Sequence, residues 1–118
     1  MDTLLEWLPR VGAVLTVLIG LAGFFKPTAI TDGCQIELKT PVASSEARAV
    51  FGGLNIGWGL SALILGHPAV FLALGLAWTG ATVARFYSMI ADGSTVKESI
   101  PPILIDGTIA LLALSSQL

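Results

Sequence analysis

The feature that most constrains this chain is the uncharged stretch from Ala49 to Ala84, in which His67 is the one side chain able to gain a charge. As a single α-helix this stretch would be about 54 Å long, whereas the hydrocarbon core of a bilayer is only about 30 Å thick. The stretch therefore has to fold back, and Gly66-His67-Pro68 is the break that the sequence offers. It predicts two antiparallel membrane helices, at about 45–65 and 68–90, joined by a tight turn.

The composition agrees with a membrane protein. Hydrophobic residues make up 54% of the chain and charged residues 12%, and the mean hydropathy is +0.84. Soluble domains contain about 25% charged residues, so this chain has too little polar surface to keep a small particle in water, and membrane lipids are its expected surroundings. A net charge of −2 without a basic patch argues against nucleic acid as a partner.

Two further apolar segments complete the predicted fold. The first, at about 4–25, is stopped by Lys26-Pro27, and the last, at about 99–115, begins with a pair of prolines that suit a first helical turn. We therefore predict an all-α integral membrane protein in which residues 1–118 form one compact bundle of four transmembrane helices. Its connections are short except for the loop at 26–44.

Two of these spans leave an alternative open. The last span is short and contains Asp106, so a re-entrant or interfacial segment is the alternative to a complete crossing. A signal peptide is the alternative for the first span. Its leading residues, Asp2 and Glu6, are acidic rather than basic, however, and no clean small-residue cleavage site follows. We expect both segments to cross the membrane.

The distribution of basic residues predicts the orientation. With four spans both chain ends lie on one side, and the longer loops lie on the other. The side with the longer loops carries Lys26, Lys39 and Lys97, with Arg48 close by, whereas the opposite side carries Arg10. Because cytoplasmic loops are enriched in Lys and Arg, we expect the longer loops in the cytoplasm and both termini outside.

Small residues recur at every fourth position along three of the predicted spans, and small residues let membrane helices approach closely. The three stripes are Gly12, Thr16 and Gly20; Ala49, Gly53, Gly57 and Ser61; and Gly80, Ala84 and Ser88. We predict that the packing of the second and third helices depends on Gly53, Gly57, Gly80 and Ala84.

Several charged residues fall within or at the edge of the spans, namely Glu46, Arg48, Arg85 and Asp106. The up-and-down path of the chain places all of them near the membrane face with the longer loops, and Asn55 lies about two turns deeper than Arg48. A charge near the middle of a bilayer costs a few kcal/mol. We therefore predict an intramembrane polar cluster in which Arg85 pairs with Asp106, completed by Glu46 or Arg48 and with Asn55 close by.

A simpler arrangement of the same residues is the alternative. Arg48 and Arg85 would extend along the apolar surface to reach lipid phosphates. Glu46 would favour the start of its helix, with Ser44 or Ser45 as the N-cap. Asp106 alone would then be buried, or it would help to start its helix.

The stretch SEARAVFGG at 45–53, the stretch ARFYSMIADG at 84–93 and an acid in the last span form a pattern. It resembles a family of short four-helix proteins of the bacterial inner membrane, domain of unknown function 4345. That family carries a Ser-Glu-x-Arg-Ala-x-aromatic-Gly-Gly signature at the start of its second helix. Here Ala84 precedes Arg85 where glycine is frequent, and Asp106 stands where glutamate is expected. The resemblance implies a multi-pass inner-membrane protein and transfers no activity.

No catalytic or metal-binding set emerges from the sequence. His67 is expected to be an ordinary turn residue, and Cys34 an inert loop thiol. Trp58 and Trp78 fall well inside their spans rather than at the interface where tryptophan is enriched. They pack in the core, face lipid, or contact a bound lipid, quinone or pigment, and we expect no other cofactor.

These features favour a non-catalytic accessory or assembly subunit of a larger membrane complex, with a respiratory or photosynthetic complex as one home. Its partners would be other membrane-protein subunits, and a homo-oligomer is a further option. The alternative is a small oligomeric transporter, or a protein that lets protons or solutes pass along the charge cluster. A membrane enzyme with Glu46 or Asp106 as general acid or base is a third reading, but we expect no enzymatic activity.

Overall fold

The computed structural model describes residues 2–117, and over that range the chain is mostly helical and contains no strand. A π-helical turn over Arg48–Gly53 joins the third and fourth α-helices without a break, and a 3₁₀ turn over Ser115–Gln117 continues the last one. The α-helices are α1 (Asp2–Phe25), α2 (Thr28–Thr31), α3 (Pro41–Ala47), α4 (Leu54–Leu65), α5 (Pro68–Ala91) and α6 (Val96–Leu114).

Four helical segments are long and apolar enough to cross a membrane, namely Thr3–Phe25, Pro41–Leu65, Pro68–Ala91 and Val96–Gln117. Helix α5, with 24 residues, is about 36 Å long and so exceeds a hydrocarbon core of about 30 Å. The predicted fold, an all-α compact bundle with four membrane-spanning helices, is confirmed.

The second span begins at Pro41, earlier than the predicted position near 45. The side chain of Thr40 accepts a hydrogen bond of 3.0 Å from the backbone N–H of Ala43. Proline at the first helical position suits this start because its missing N–H would have no partner there. The prediction that Ser44 or Ser45 is the N-cap was therefore wrong, because both residues lie within α3.

The last span also begins earlier than predicted, at Val96 rather than near 99. The N-cap is Thr95, whose side chain accepts a hydrogen bond of 3.2 Å from the backbone N–H of Glu98. Pro101 and Pro102 consequently lie inside α6 rather than in its first turn. Because proline has no N–H, the helix lacks two of its backbone hydrogen bonds at this point.

The turn between α4 and α5 is as tight as the sequence predicted. Gly66 adopts a left-handed conformation with φ of +61°, which glycine reaches without steric strain and which commonly ends a helix. His67 then caps α5, because its Nδ1 accepts a hydrogen bond of 3.0 Å from the backbone N–H of Ala69. The two helices therefore run antiparallel.

Helix α1 organises the bundle. It packs along both α4 and α6, while α5 packs mainly along α6 and makes few contacts with α4 beyond their shared turn. The buried core at the centre of these contacts consists of Ala13, Ala62, Phe71, Leu74 and Ala113. The helices thus form an arc in the order α4, α1, α6, α5, and the seam between α4 and α5 is loosely packed.

Glycines do bring helices together, but not at the predicted positions on the second and third spans. A Cβ on Gly52 would lie 2.6 Å from the backbone of Phe24 in α1, and one on Gly20 would lie 2.7 Å from the backbone of Ile56. A Cβ on Gly59 would lie 2.8 Å from the carbonyl oxygen of Ala13. The first stripe, with Gly12, Thr16 and Gly20, is buried as a packing face should be.

The prediction that Gly53, Gly57, Gly80 and Ala84 carry the packing was wrong. A Cβ on Gly57 or Gly80 would meet no atom within 4 Å, a Cβ on Gly53 would meet only its own helical turn, and Ala84 is exposed. The cause in the second span is the π-helical turn, which adds a residue and allows Ala47 and Gly52, five positions apart, to be buried on one face. The four-residue stripe then points to another face.

Candidate ligand-binding cavity

A cavity of about 530 Å³ lies between the helices and is lined mostly by apolar side chains. Ligand sites for small molecules typically have volumes of about 300–1,000 Å³. Its walls come from α1, the π-helical turn, α4, α5 and α6, and the residues from Ala29 to Cys34 cover one side. Because α4 and α5 pack loosely on each other, the cavity opens toward the surface of the bundle at their seam.

A charged pair forms the polar part of the wall. Arg85 of α5 donates a hydrogen bond from Nε to Oδ2 of Asp106 on α6, at 2.5 Å, and both residues line the cavity. The Asp106 side chain is 6% exposed and that of Arg85 is 35% exposed. A buried carboxylate in a membrane requires such a partner, and the pair of Arg85 with Asp106 that the sequence predicted is present.

Two further polar groups line the cavity. Asn55 donates from Nδ2 to the backbone carbonyl of Phe51 in its own helix, at 2.9 Å, which leaves its second N–H and its carbonyl oxygen for other partners. The thiol of Cys34 lies in the covering segment and lines the same cavity as Arg85. The lone cysteine is thus part of the cavity wall and not only a loop residue.

Two indole rings line the cavity from helices on either side of the seam, Trp58 from α4 and Trp78 from α5. Trp78 donates its Nε1–H to the hydroxyl of Thr16 in α1, at 3.0 Å, and that hydroxyl in turn donates to the Gly12 carbonyl at 2.8 Å. This chain of hydrogen bonds fixes the Trp78 ring. Trp58 is 42% exposed, so its ring lies at the opening.

The predicted cluster does not include Arg48 or Glu46. Arg48 donates from Nη1 to the backbone carbonyl of Phe24 at 2.5 Å, and a cation at the end of a helix favours its unpaired carbonyls. Glu46 is exposed, and within residues 2–117 it makes no salt bridge. The prediction that one of the two completes the pair was wrong, because the π-helical turn directs Arg48 toward the end of α1.

The segment that covers the cavity is held by one local hydrogen bond and by one hydrogen bond to α6. The Thr31 side chain is buried and donates to the carbonyl of Pro27 at 3.2 Å. Gln35 adopts a left-handed conformation with φ of +57°, and its Nε2 donates to Oε2 of Glu98 on α6 at 2.6 Å. The segment is therefore linked to the same helix that supplies Asp106.

Sequence reasoning found Arg85, Asp106 and Asn55, and it identified the two deep tryptophans as potential ligand contacts. It missed the participation of Cys34 and of the prolines of α6, which line the cavity. Two signals were available. The adjacent prolines leave α6 without backbone donors at one point, and the cysteine occurs in the only long loop, on the membrane face where Arg85 lies.

The family described as a domain of unknown function (DUF4345) matches residues 4–116. The chain belongs to DUF4345. Comparisons with curated proteins and with solved structures find no match.

The signature by which the chain resembles DUF4345, SEARAVFGG, falls on the end of α3 and the π-helical turn. Three of its residues contribute to the architecture. Arg48 binds the end of α1, Gly52 permits the close approach of Phe24, and Phe51 lines the cavity. The signature therefore joins α4 to α1 at the position where the cavity begins.

Among residues 2–117 no group of three His, Cys, Asp or Glu side chains is placed to hold a metal ion.

Proposed function

We propose that this member of DUF4345 is a non-catalytic binding protein of the membrane that holds one amphipathic small molecule in the cavity. The observation that carries the proposal is the paired Arg85 and Asp106 in the wall of an otherwise apolar cavity of about 530 Å³. Apolar walls with a small number of placed polar groups are the usual composition of a ligand site. An ion pair kept at this depth despite its cost suggests such a role.

The geometry gives less support to the alternatives from the sequence. A proton or solute path along the charge cluster needs a series of titratable groups, but Arg48 binds a backbone carbonyl and Glu46 lies outside. An enzyme with Glu46 and Asp106 as paired acid and base meets the same obstacle. Membership of a larger membrane complex, respiratory, photosynthetic or other, stays a prediction and is compatible with ligand binding.

For the location we propose the bacterial cytoplasmic membrane, with the loops beside the cavity in the cytoplasm and both termini outside. Single-cysteine variants in a Cys34→Ser background test this orientation. Labelling of intact cells with an impermeant maleimide should modify Ser116→Cys and leave Lys39→Cys unmodified. The reverse pattern would place the loops outside.

A substitution that fills part of the cavity tests the proposed binding function. On α5, Ala81 lines the cavity between Trp78 and Arg85, whereas Ala84 is exposed and lies outside the lining. Ala81→Leu should occupy part of the space, and Ala84→Leu is the matched control on the same helix. The purified variants are washed in detergent and extracted with solvent, and mass spectrometry measures the membrane molecules that were retained.

We expect wild type and Ala84→Leu to retain about one molecule of the same kind per chain, and Ala81→Leu to lose it while remaining monodisperse and helical. Equal retention by Ala81→Leu and Ala84→Leu, or no retained molecule in any of the three, would contradict the proposed function.

A further inference from the structure

We propose that the molecule bound in this cavity has a neutral, flat headgroup ring with carbonyl oxygens and carries an apolar tail, the chemistry of a membrane quinone. This inference rests on the proposed function and names its ligand class. It follows from three observations: the charge of the polar wall, the residues around the space beside it, and the opening between α4 and α5.

The polar wall favours a neutral acceptor over an anion. Arg85 uses Nε for Asp106, and within residues 2–117 its terminal nitrogens make no side-chain hydrogen bond, while the Cys34 thiol, a weak acceptor, lines the same cavity. The terminal N–H groups are therefore available to a ligand oxygen. A carboxylate or phosphate there would lie close to the Asp106 carboxylate, and like charges at such distances repel strongly in a low-dielectric environment.

The space beside Arg85 suits a flat ring. Trp78, Ala81 and Arg85 all line the cavity and follow each other at spacings of three and four on α5, so they share one helix face. Because Ala81 is small, this part of the wall leaves room for a ring beside the Trp78 indole, on which aromatic rings stack favourably. Trp58 reaches the cavity from α4, and the Thr16 hydroxyl holds the Trp78 ring in place.

The two indoles also lie at similar depths. Counted from the Gly66 turn, Trp58 lies about 12 Å along α4 and Trp78 about 18 Å along α5. Arg85 lies about 10 Å farther along α5 than Trp78. A ring whose oxygen meets Arg85 thus extends toward the indoles. Its tail leaves at the loosely packed seam, where Trp58 and Leu54 are exposed.

The test uses the full-length Trp7→Phe variant in lipid nanodiscs, in which the cavity contains the remaining indoles. A benzoquinone with a ten-carbon tail should quench their fluorescence with saturation as its mole fraction rises. A variant with Trp58→Phe and Trp78→Phe, which retains Trp7, should show only the linear quenching of simple partition. Tail-matched decanoate should compete at least tenfold less effectively than a tail-matched, non-quenching cyclic diketone.

Removal of the Asp106 charge tests whether that charge is what excludes an anionic headgroup. Asp106→Asn removes the like charge, so decanoate should compete about tenfold better relative to the diketone than it does in the parent.

Trp58→Leu should weaken quinone binding about three- to tenfold, the range expected for one lost aromatic contact.

The outcomes separate this inference from the proposed function. If decanoate competes as well as the diketone in the parent, or if Asp106→Asn leaves their ratio unchanged, the ligand class is wrong, although the cavity still binds amphiphiles. The ligand class and the binding function both fail under two joint results: quenching is linear in the Trp7→Phe parent, and Ala81→Leu retains as much of the membrane molecule as Ala84→Leu does.

Discussion

The indole N–H of Trp78 on α5 donates a hydrogen bond of 3.0 Å to the hydroxyl of Thr16 on α1. These two helices have few other contacts, so the bond links α5 directly to α1 beside the cavity. The Thr16 hydroxyl serves as acceptor for the indole and as donor to Gly12. Its removal therefore leaves a partly buried indole N–H without a partner.

We expect Thr16→Val to lower the free energy of unfolding by about 1 kcal/mol, the usual size of an interhelical hydrogen bond in a membrane protein. Thr82→Val is the matched control, because the Thr82 hydroxyl bonds to the Trp78 carbonyl within its own helix. Unfolding in mixed micelles, followed by circular dichroism, measures both variants. Equal losses for the two would show that the link between the helices adds no stability.

Glycine substitutions should separate the observed packing face from the stripe that the sequence suggested. Gly52→Ala should destabilise the protein strongly, because a Cβ there would overlap the backbone of Phe24. Gly57→Ala should be neutral or stabilising by up to about 1 kcal/mol, since the site is open and alanine favours a helix. Thermal unfolding in detergent compares the two, and a neutral Gly52→Ala would contradict the described contact between α1 and the π-helical turn.

The ion pair should respond asymmetrically to the loss of each partner. Arg85→Gln leaves a carboxylate that is 6% exposed without its partner, and breaking a buried pair in this way costs about 3–5 kcal/mol. Asp106→Asn should cost less, because the remaining guanidinium is 35% exposed and keeps access to the cavity.

The double variant, Arg85→Gln with Asp106→Asn, should recover most of the loss, because both charges are removed and the side chains can still form hydrogen bonds. Unfolding free energies of the single and double variants form a double-mutant cycle. Additive losses would mean that the two side chains are not coupled.

Arg48→Gln should destabilise the protein by about 1 kcal/mol, because the carbonyl at the end of α1 loses a charged donor. Glu46→Gln, two positions earlier in the same signature, should leave stability unchanged since Glu46 is exposed. Thermal midpoints of both variants in one detergent provide the comparison. A larger loss of stability from Glu46→Gln than from Arg48→Gln would contradict this assignment and would support the predicted place of Glu46 in the cluster.

The architecture was predictable because the bilayer leaves a chain few choices. An uncharged stretch longer than the membrane is thick has to fold back, and an isolated charge inside lipid needs a partner. Those two constraints were enough to anticipate the turn at Gly66-His67-Pro68 and the contact between Arg85 and Asp106.

Which face of each helix packs against its neighbours was less predictable, because small residues are frequent on every side of these spans. The choice of Gly53 and Gly57 assumed an uninterrupted α-helix. The π-helical turn changes the phase by adding a residue, so that Gly52 and Gly59 face α1 instead. The spacing of the small residues does not signal this turn. Arg48 was misplaced for the same reason.

The loose seam between α4 and α5 has a consequence for how the protein meets its ligand. An amphiphile would enter by lateral diffusion within the leaflet, without passing through water. Occupancy would then follow the ligand's share of the surrounding lipids and not its aqueous concentration. Dilution of the bilayer with extra phospholipid would empty the proposed site at a constant amount of ligand per cell, so that its occupancy would follow membrane composition.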